Sequence, residues 1–318
     1  MQAGDLSIPV EPRSAKPLSL RSVLDSHTAW LEGKPDGVRA DLSGVALSDA
    51  RLAHANLHEG VLRSATLIEA RLEGIDLSGA ILESADLRQA NLPGADLSGA
   101  DLTKAVFDLC LLAEATLCEA RMQGTSLRLA NMREVRLLEA SIQNCDFEGA
   151  VLRSASFAHS DMMNTVFSDA DMHEAVFYRA RAYLCKFFGV TGQRVNFSGA
   201  RLHSCDFTSA QLPSARFREA ELKQCLFHRA HLGGADLRDA KLDGSEFAYA
   251  NLSGAQMAGA NLFAADLRAA DLTGARGLRA TQLMQARTDP TTTLPNGRRG
   301  PYIRGSGAER PAVQQGSD

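Results

Sequence analysis

The stretch ADLRQANLPGADLSGADLTKA, residues 85–105, places a large apolar residue at every fifth position: Leu87, Leu92, Leu97 and Leu102. Two residues before each of them stands an alanine, at Ala85, Ala90, Ala95 and Ala100, and the residue in between is Asp or Asn. A period of five excludes both common regular structures. It turns an α-helix by about 500°, so the leucines would spiral around the helix instead of forming a stripe. In a straight strand five is odd, and alternate leucines would face opposite sides. One geometry fits. The alanine and the leucine, two apart, point inward from a short extended wall, and the remaining residues turn a corner into the next wall.

Outward from this stretch the count runs unbroken from Leu42 to Leu272. Of its 47 centres, 45 are Leu, Phe, Met or Ile; the exceptions are Ala182 and Gly192, both within RAYLCKFFGVTGQRVNF (181–197). Phenylalanine recurs every tenth residue from Phe147 to Phe227, and Cys145, Cys185, Cys205 and Cys225 occupy the small position at multiples of twenty. A coil of twenty residues and four walls explains both patterns. The 85–105 stretch resembles the pentapeptide-repeat family, whose pattern is A(D/N)LxX, and the resemblance extends over about three quarters of the chain. It implies an all-β solenoid, a right-handed quadrilateral (four-sided) β-helix with Leu and Phe stacked inside. At about 4.8 Å per coil, the nearly twelve coils predict a rod of about 56 Å.

Each inner Leu or Phe contributes about 1.5–3 kcal/mol once buried, but only where coils above and below cover it, so both ends need caps. The predicted divisions follow. Residues 1–18, with Pro9, Pro12 and Pro17, read as a disordered lead. Residues 19–38 read as a capping helix and turn, with Leu20, Val23, Leu24, His27 and Leu31 at helical spacing. The β-helix takes 39–276, a C-terminal capping helix and loop takes 277–296 around LRATQLMQAR, and 297–318 reads as a disordered tail.

A net charge of −4 argues against direct nucleic-acid binding. There is no signal-peptide pattern and no apolar run of membrane-spanning length. The predicted location is the cytoplasm, with non-classical secretion as the alternative. No catalytic motif appears, so the chain is read as a non-enzyme without cofactor or metal. The cysteine column is read as small buried packing residues, with Cys118 facing outward. The pairs His54/His58 and His228/His231 lack a carboxylate or Cys at ligand spacing. Asp and Gly around the centres are read as corner formers.

The surface is more informative. Residues 40–120 hold 13 acidic and 5 basic residues, whereas 121–235 hold 11 and 14. Large apolar residues fall on outward positions, and Met163, Tyr178, Tyr183, Leu184 and Phe188 form the predicted contact patch. Beside it, the coil of Ala182 and Gly192 is expected to be pinched or bulged. The leading reading is a scaffold or adaptor for a protein partner, with a homodimer as one form of it. The family resemblance implies an alternative, a DNA-mimicking binder of gyrase or topoisomerase IV, for which the acidic segment would supply the charge. A bacterial secretion-linked effector or accessory protein is a third reading.

Overall fold

The computed structural model describes residues 19–312. Along the count the inward pair is buried: Leu87, Leu92, Leu97 and Leu102 have no exposed surface, and the alanines beside them are buried too. A five-residue wall is too short to satisfy its own backbone, and buried N–H and C=O groups require partners. They find them one coil away. The Asn91 N–H donates to Ala70 O at 2.9 Å, Leu92 N–H to Leu111 O at 2.7 Å and Gly94 N–H to Ala113 O at 2.9 Å. Parallel bridges therefore join residues twenty apart, from Asp41↔Val61 through Gln256↔Arg276, on each of four walls in turn. The result is a parallel β-solenoid.

The wall that carries Leu42, Leu62 and their successors is here the first, and the others follow in chain order. On this first wall the extended segments lengthen into β1 (Arg121–Gln123), β2 (Ser141–Gln143), β3 (Asp161–Met163), β4 (Arg181–Tyr183), β5 (Arg201–His203) and β6 (Glu221–Lys223). These six form one parallel sheet in sequence order. Each is followed two residues later by Thr or Cys at the small position: Thr125, Cys145, Thr165, Cys185, Cys205 and Cys225. Their side chains form a buried donor column. Thr125 Oγ1 donates to Leu102 O at 2.8 Å, Cys145 Sγ to Met122 O at 2.8 Å and Cys225 Sγ to Leu202 O at 3.3 Å.

The corners use the left-handed region. Gln89, Gly94, Gly99 and Lys104 have φ of 59°, 64°, 65° and 57°. Aspartate helps to set them. The Asp96 carboxylate accepts from Ser98 N–H at 2.9 Å, and Asp101 from Thr103 N–H at 3.1 Å, so these acids are engaged locally. Inside, phenylalanines of the second wall stack along the axis and meet those of the fourth wall edge-on. Phe167 and Phe187 lie 4.9 Å apart at 3°, and Phe187 and Phe177 5.8 Å apart at 87°.

At the N-terminal end α1 (Leu20–Leu31) starts from Ser19, whose Oγ accepts the Ser22 N–H at 3.2 Å. Leu20, Val23 and Leu24 pack on the core. His27 is fully buried, stacks on Trp30, and accepts the Ala40 N–H on Nδ1 at 3.0 Å. Burial, with smaller contributions from the charges of Arg39 and His58, holds its pKa below the ordinary 6.5 despite the His58 backbone, which acts in the opposite sense. The unfolded ring therefore takes a proton at higher pH than the folded one. Docking of α1 is constant above 6.5 and weakens as pH falls below it. Trp30 is the only tryptophan, so its fluorescence reports this locally. The acid-side change is expected to vanish in His27→Gln; an unchanged profile would assign it to other groups.

The C-terminal end departs from the sequence reading. The helix expected across LRATQLMQAR is a single turn, α2 (Ala280–Leu283). The chain then rejoins the ladder through Asp266↔Arg287 and Asp271↔Thr293, beyond the expected boundary at 276. The buried Gln282 amide donates to Met257 O at 3.1 Å and Ala260 O at 2.7 Å, covering carbonyls of the last coil. The segment expected as a disordered tail folds back as far as residue 312. Ala308 is buried, and the Tyr302 hydroxyl donates to Glu309 at 3.0 Å. These anchors outweigh the Gly- and Arg-rich composition around them. The expected lead at 1–18 and the last six residues of that tail lie outside the described residues.

Candidate functional site

The coil that contains Ala182 and Gly192 keeps its register. Met162↔Ala182↔Leu202 pair in sequence on the first wall, and Thr191↔Gln211 on the third. Axial hydrogen bonds hold each wall from above and below: Phe187 N–H donates to Asp206 O at 2.7 Å and Gly192 N–H to Gln211 O at 2.9 Å. The departure is local to Gly192: the corner after it is a bend, and the bonds that Ala175 N–H makes to Met172 O and Ala215 N–H to Leu212 O on the adjacent coils have no counterpart from Val195 to Gly192. A Cβ on Gly192 would lie 2.7 Å from Val195 Cγ2, so Val195 takes up the space that a centre residue fills elsewhere.

The apolar residues of the patch project outward, but not onto one face. Tyr178 stands on the fourth wall, Met163 and Tyr183 on the first, Leu184 at the following corner and Phe188 on the second wall. Met163 and Tyr183 are brought together directly, as register partners lining one depression with Gln143, Asp161, Met162, Arg181, Ala182 and Arg201. Tyr178 is separate from them. It meets His159 edge-on at 5.7 Å, and the Arg179 guanidinium lies 5.1 Å from its ring centroid.

Two further groupings emerge, the first from apolar residues that the repeat already places outward and the second not anticipated from sequence. Leu109 and Leu129 are exposed on successive levels of one corner, with exposed Leu111 on the wall beyond. A cationic corner between the fourth and first walls gathers His159, Arg179, Arg181 and Arg201 around a second depression. The twenty-residue spacing of Arg181 with Arg201, and of His159 with Arg179, was the available signal.

Family profiles follow the solenoid closely. That for Pentapeptide repeats (8 copies) matches 40–79, 80–108, 110–149, 225–262 and 240–276, and that for Pentapeptide repeat region matches 160–237. The chain belongs to the pentapeptide-repeat family. Among solved structures it is similar to HetL, a pentapeptide repeat protein involved in heterocyst differentiation regulation from the cyanobacterium Nostoc. The two share 25% identity over 86% of this chain and 96% of that one, with a TM-score of 0.39. It is also similar to QnrB1, a plasmid-mediated fluoroquinolone resistance protein, at 17% identity over 69% and 93% of the two chains, TM-score 0.23. A pentapeptide repeat protein of the Arabidopsis thaliana thylakoid lumen shares 26% identity over 39% and 68%, TM-score 0.15. No curated protein matches the chain.

In this pentapeptide-repeat core the thiols are free, and all but Cys118 are buried. Burial pushes Cys110 up to about 12 and Cys145 up to about 11; for Cys185 the neighbouring Cys205 thiol, followed by burial, acts in the same direction. A thiol reacts as its thiolate. Native labelling with a maleimide is therefore expected to modify Cys118 fast and the other five only on unfolding. Rapid modification of Cys185, Cys205 or Cys225 would contradict this. Of the two histidine pairs, His58 is engaged on the surface with Ser78 at 2.8 Å and His228 with Glu246 at 2.7 Å. Among the described residues no three His, Cys, Asp or Glu side chains converge as metal ligands, and no helix is long and apolar enough to cross a membrane.

Proposed function

We propose that this pentapeptide-repeat chain is a non-catalytic scaffold or adaptor that docks a protein partner on its outer walls around Tyr183. One observation carries the reading. Met163, Tyr183, Leu184 and Phe188 are 43%, 49%, 46% and 45% exposed, on walls whose register is fixed by hydrogen bonds on both sides. Apolar groups held on a rigid frame give up little conformational freedom on binding and gain by desolvation. The six free thiols suit a reducing, cytoplasmic setting.

Tyr183→Asp combined with Phe188→Asp is expected to abolish partner capture, or dimerisation seen by light scattering, while leaving the circular-dichroism melt unchanged. Unaltered capture and unaltered mass would remove the patch from the function. The acidic balance of residues 40–120 favours a second reading, a DNA-mimicking binder of gyrase or topoisomerase IV. Part of that charge is neutralised within the surface, by Arg63 on Glu83 at 3.3 Å and Arg88 on Asp86 at 2.7 Å. Inhibition of gyrase supercoiling by the added protein would establish the second reading, and no effect would leave the scaffold.

A further inference from the structure

We propose that the first-wall depression binds an acidic segment of a partner protein, with its carboxylates on Arg179, Arg181 and Arg201 and an apolar side chain over Ala182 against Met163 and Tyr183. This rests on the scaffold reading above and adds the chemistry of the occupant.

The depression has two unlike edges. Asp161, Arg181 and Arg201 stand in one column, Gln143, Met163 and Tyr183 in the other, and Met162 and Ala182, each 3% exposed, lie between them. Parallel register keeps both columns in step, Arg181 beside Arg201 and Met163 beside Tyr183. Around the adjoining corner lies the cationic depression of His159, Arg179, Gly199 and the same Arg181 and Arg201. The two depressions thus share a pair of arginines, one side apolar and the other basic.

These cations are weakly used within the chain. Among the described residues Arg179 and Arg201 make no ion pair, and Arg181 reaches Asp161 only at 3.4 Å with both groups well exposed. The nearest acid above Arg201 in the column, Glu221, is paired with Lys241 at 2.8 Å. From residue 179 to residue 229 there are nine basic and three acidic residues, in a chain whose net charge is −4. Planar guanidinium groups match carboxylates bidentately. Tyr178 supports the Arg179 guanidinium from below, at 5.1 Å. An excess of unpaired arginine along an apolar groove is complementary to an acidic segment that carries an apolar anchor.

The test is fluorescence anisotropy of the full chain with a labelled peptide of alternating Asp and Leu, against its Lys/Leu counterpart and a single-stranded DNA oligomer. The Asp/Leu peptide is expected to bind and the Lys/Leu peptide to fail. Arg179→Glu with Arg201→Glu is expected to weaken binding at least about tenfold, and the loss should shrink as salt is raised. Arg179→Gln with Arg201→Gln, expected to show a smaller loss in the same direction, serves if the Glu variant melts early. Asp/Leu affinity unchanged in both variants, or tighter binding of the DNA, overturns the proposal. If peptide affinity survives these variants while Tyr183→Asp/Phe188→Asp abolishes capture, only the acidic chemistry falls. If neither pair has any effect, the scaffold reading falls as well.

Discussion

Phe187→Ala is expected to cost about 3–5 kcal/mol of stability, the largest effect of any single truncation proposed for this chain. The ring is stacked on Phe167 at 4.9 Å and Phe207 at 4.6 Å, and meets Phe177 and Phe197 edge-on, each at 5.8 Å. Collapse around the missing ring is opposed by the backbone. Phe167 N–H is held to Lys186 O and Phe187 N–H to Asp206 O, both at 2.7 Å, so the coils keep their spacing and a cavity stays. A solenoid is stabilised by nearest-neighbour terms, so a cavity at mid-length also uncouples the two halves. Urea unfolding followed by circular dichroism is expected to separate into two transitions. Phe247→Ala removes a ring stacked only on Phe227, at 4.7 Å, and is expected to cost less and keep one transition. Equal losses for the two variants would contradict the nearest-neighbour account.

Gly192→Leu, which restores the repeat pattern at its most conspicuous lapse, is expected to lower stability by about 1–3 kcal/mol. The pattern alone argues for a gain. The geometry argues against it, since a Cβ at 192 would lie 2.9 Å from both the carbonyl carbon and the oxygen of Met172, and 2.7 Å from Val195 Cγ2. The valine side chain has room to move, whereas the Met172 backbone is bonded, its N–H donating to Thr191 O at 2.7 Å. Adding Val195→Ala to Gly192→Leu should recover only part of the loss. A rise in melting temperature for Gly192→Leu would show that the space at 192 is not filled as described.

The solenoid was legible because the two inward positions of each five-residue wall are the ones that size and polarity constrain most, and they recur without a gap. The donor column was half legible. Thr125, Cys145 and Thr165 look like substitutes for alanine, since sequence displays their size and hides their acceptor. That acceptor is a carbonyl twenty-three residues back, as for Cys145 and Met122. Ala182, in the coil expected to be pinched or bulged, keeps its register for a related reason. Loss of a large side chain is written in the sequence, while the axial hydrogen bonds that hold the wall in place are not. At the C-terminus, composition averaged away the two residues that matter, Tyr302 and Ala308. The expected contact patch is made of residues that the repeat places outward, and each of the five is exposed. Its division over three walls, and the arginines beside it, depended on combining the twenty-residue register with charge.

The inter-coil hydrogen bonds also determine how the rod answers to load. Each coil is bound to the next by bonds that lie along the long axis, as Leu92 to Leu111 and Asn91 to Ala70 show. Tension applied to the two ends therefore pulls on one interface at a time, like thread leaving a spool. A released coil of twenty residues pays out at most about 66–72 Å of chain in exchange for about 4.8 Å of rod. Such a protein lengthens in uniform steps from whichever end is less well fastened, and the strength of the whole is set by its two fastenings, the His27 helix and the folded-back segment around Tyr302.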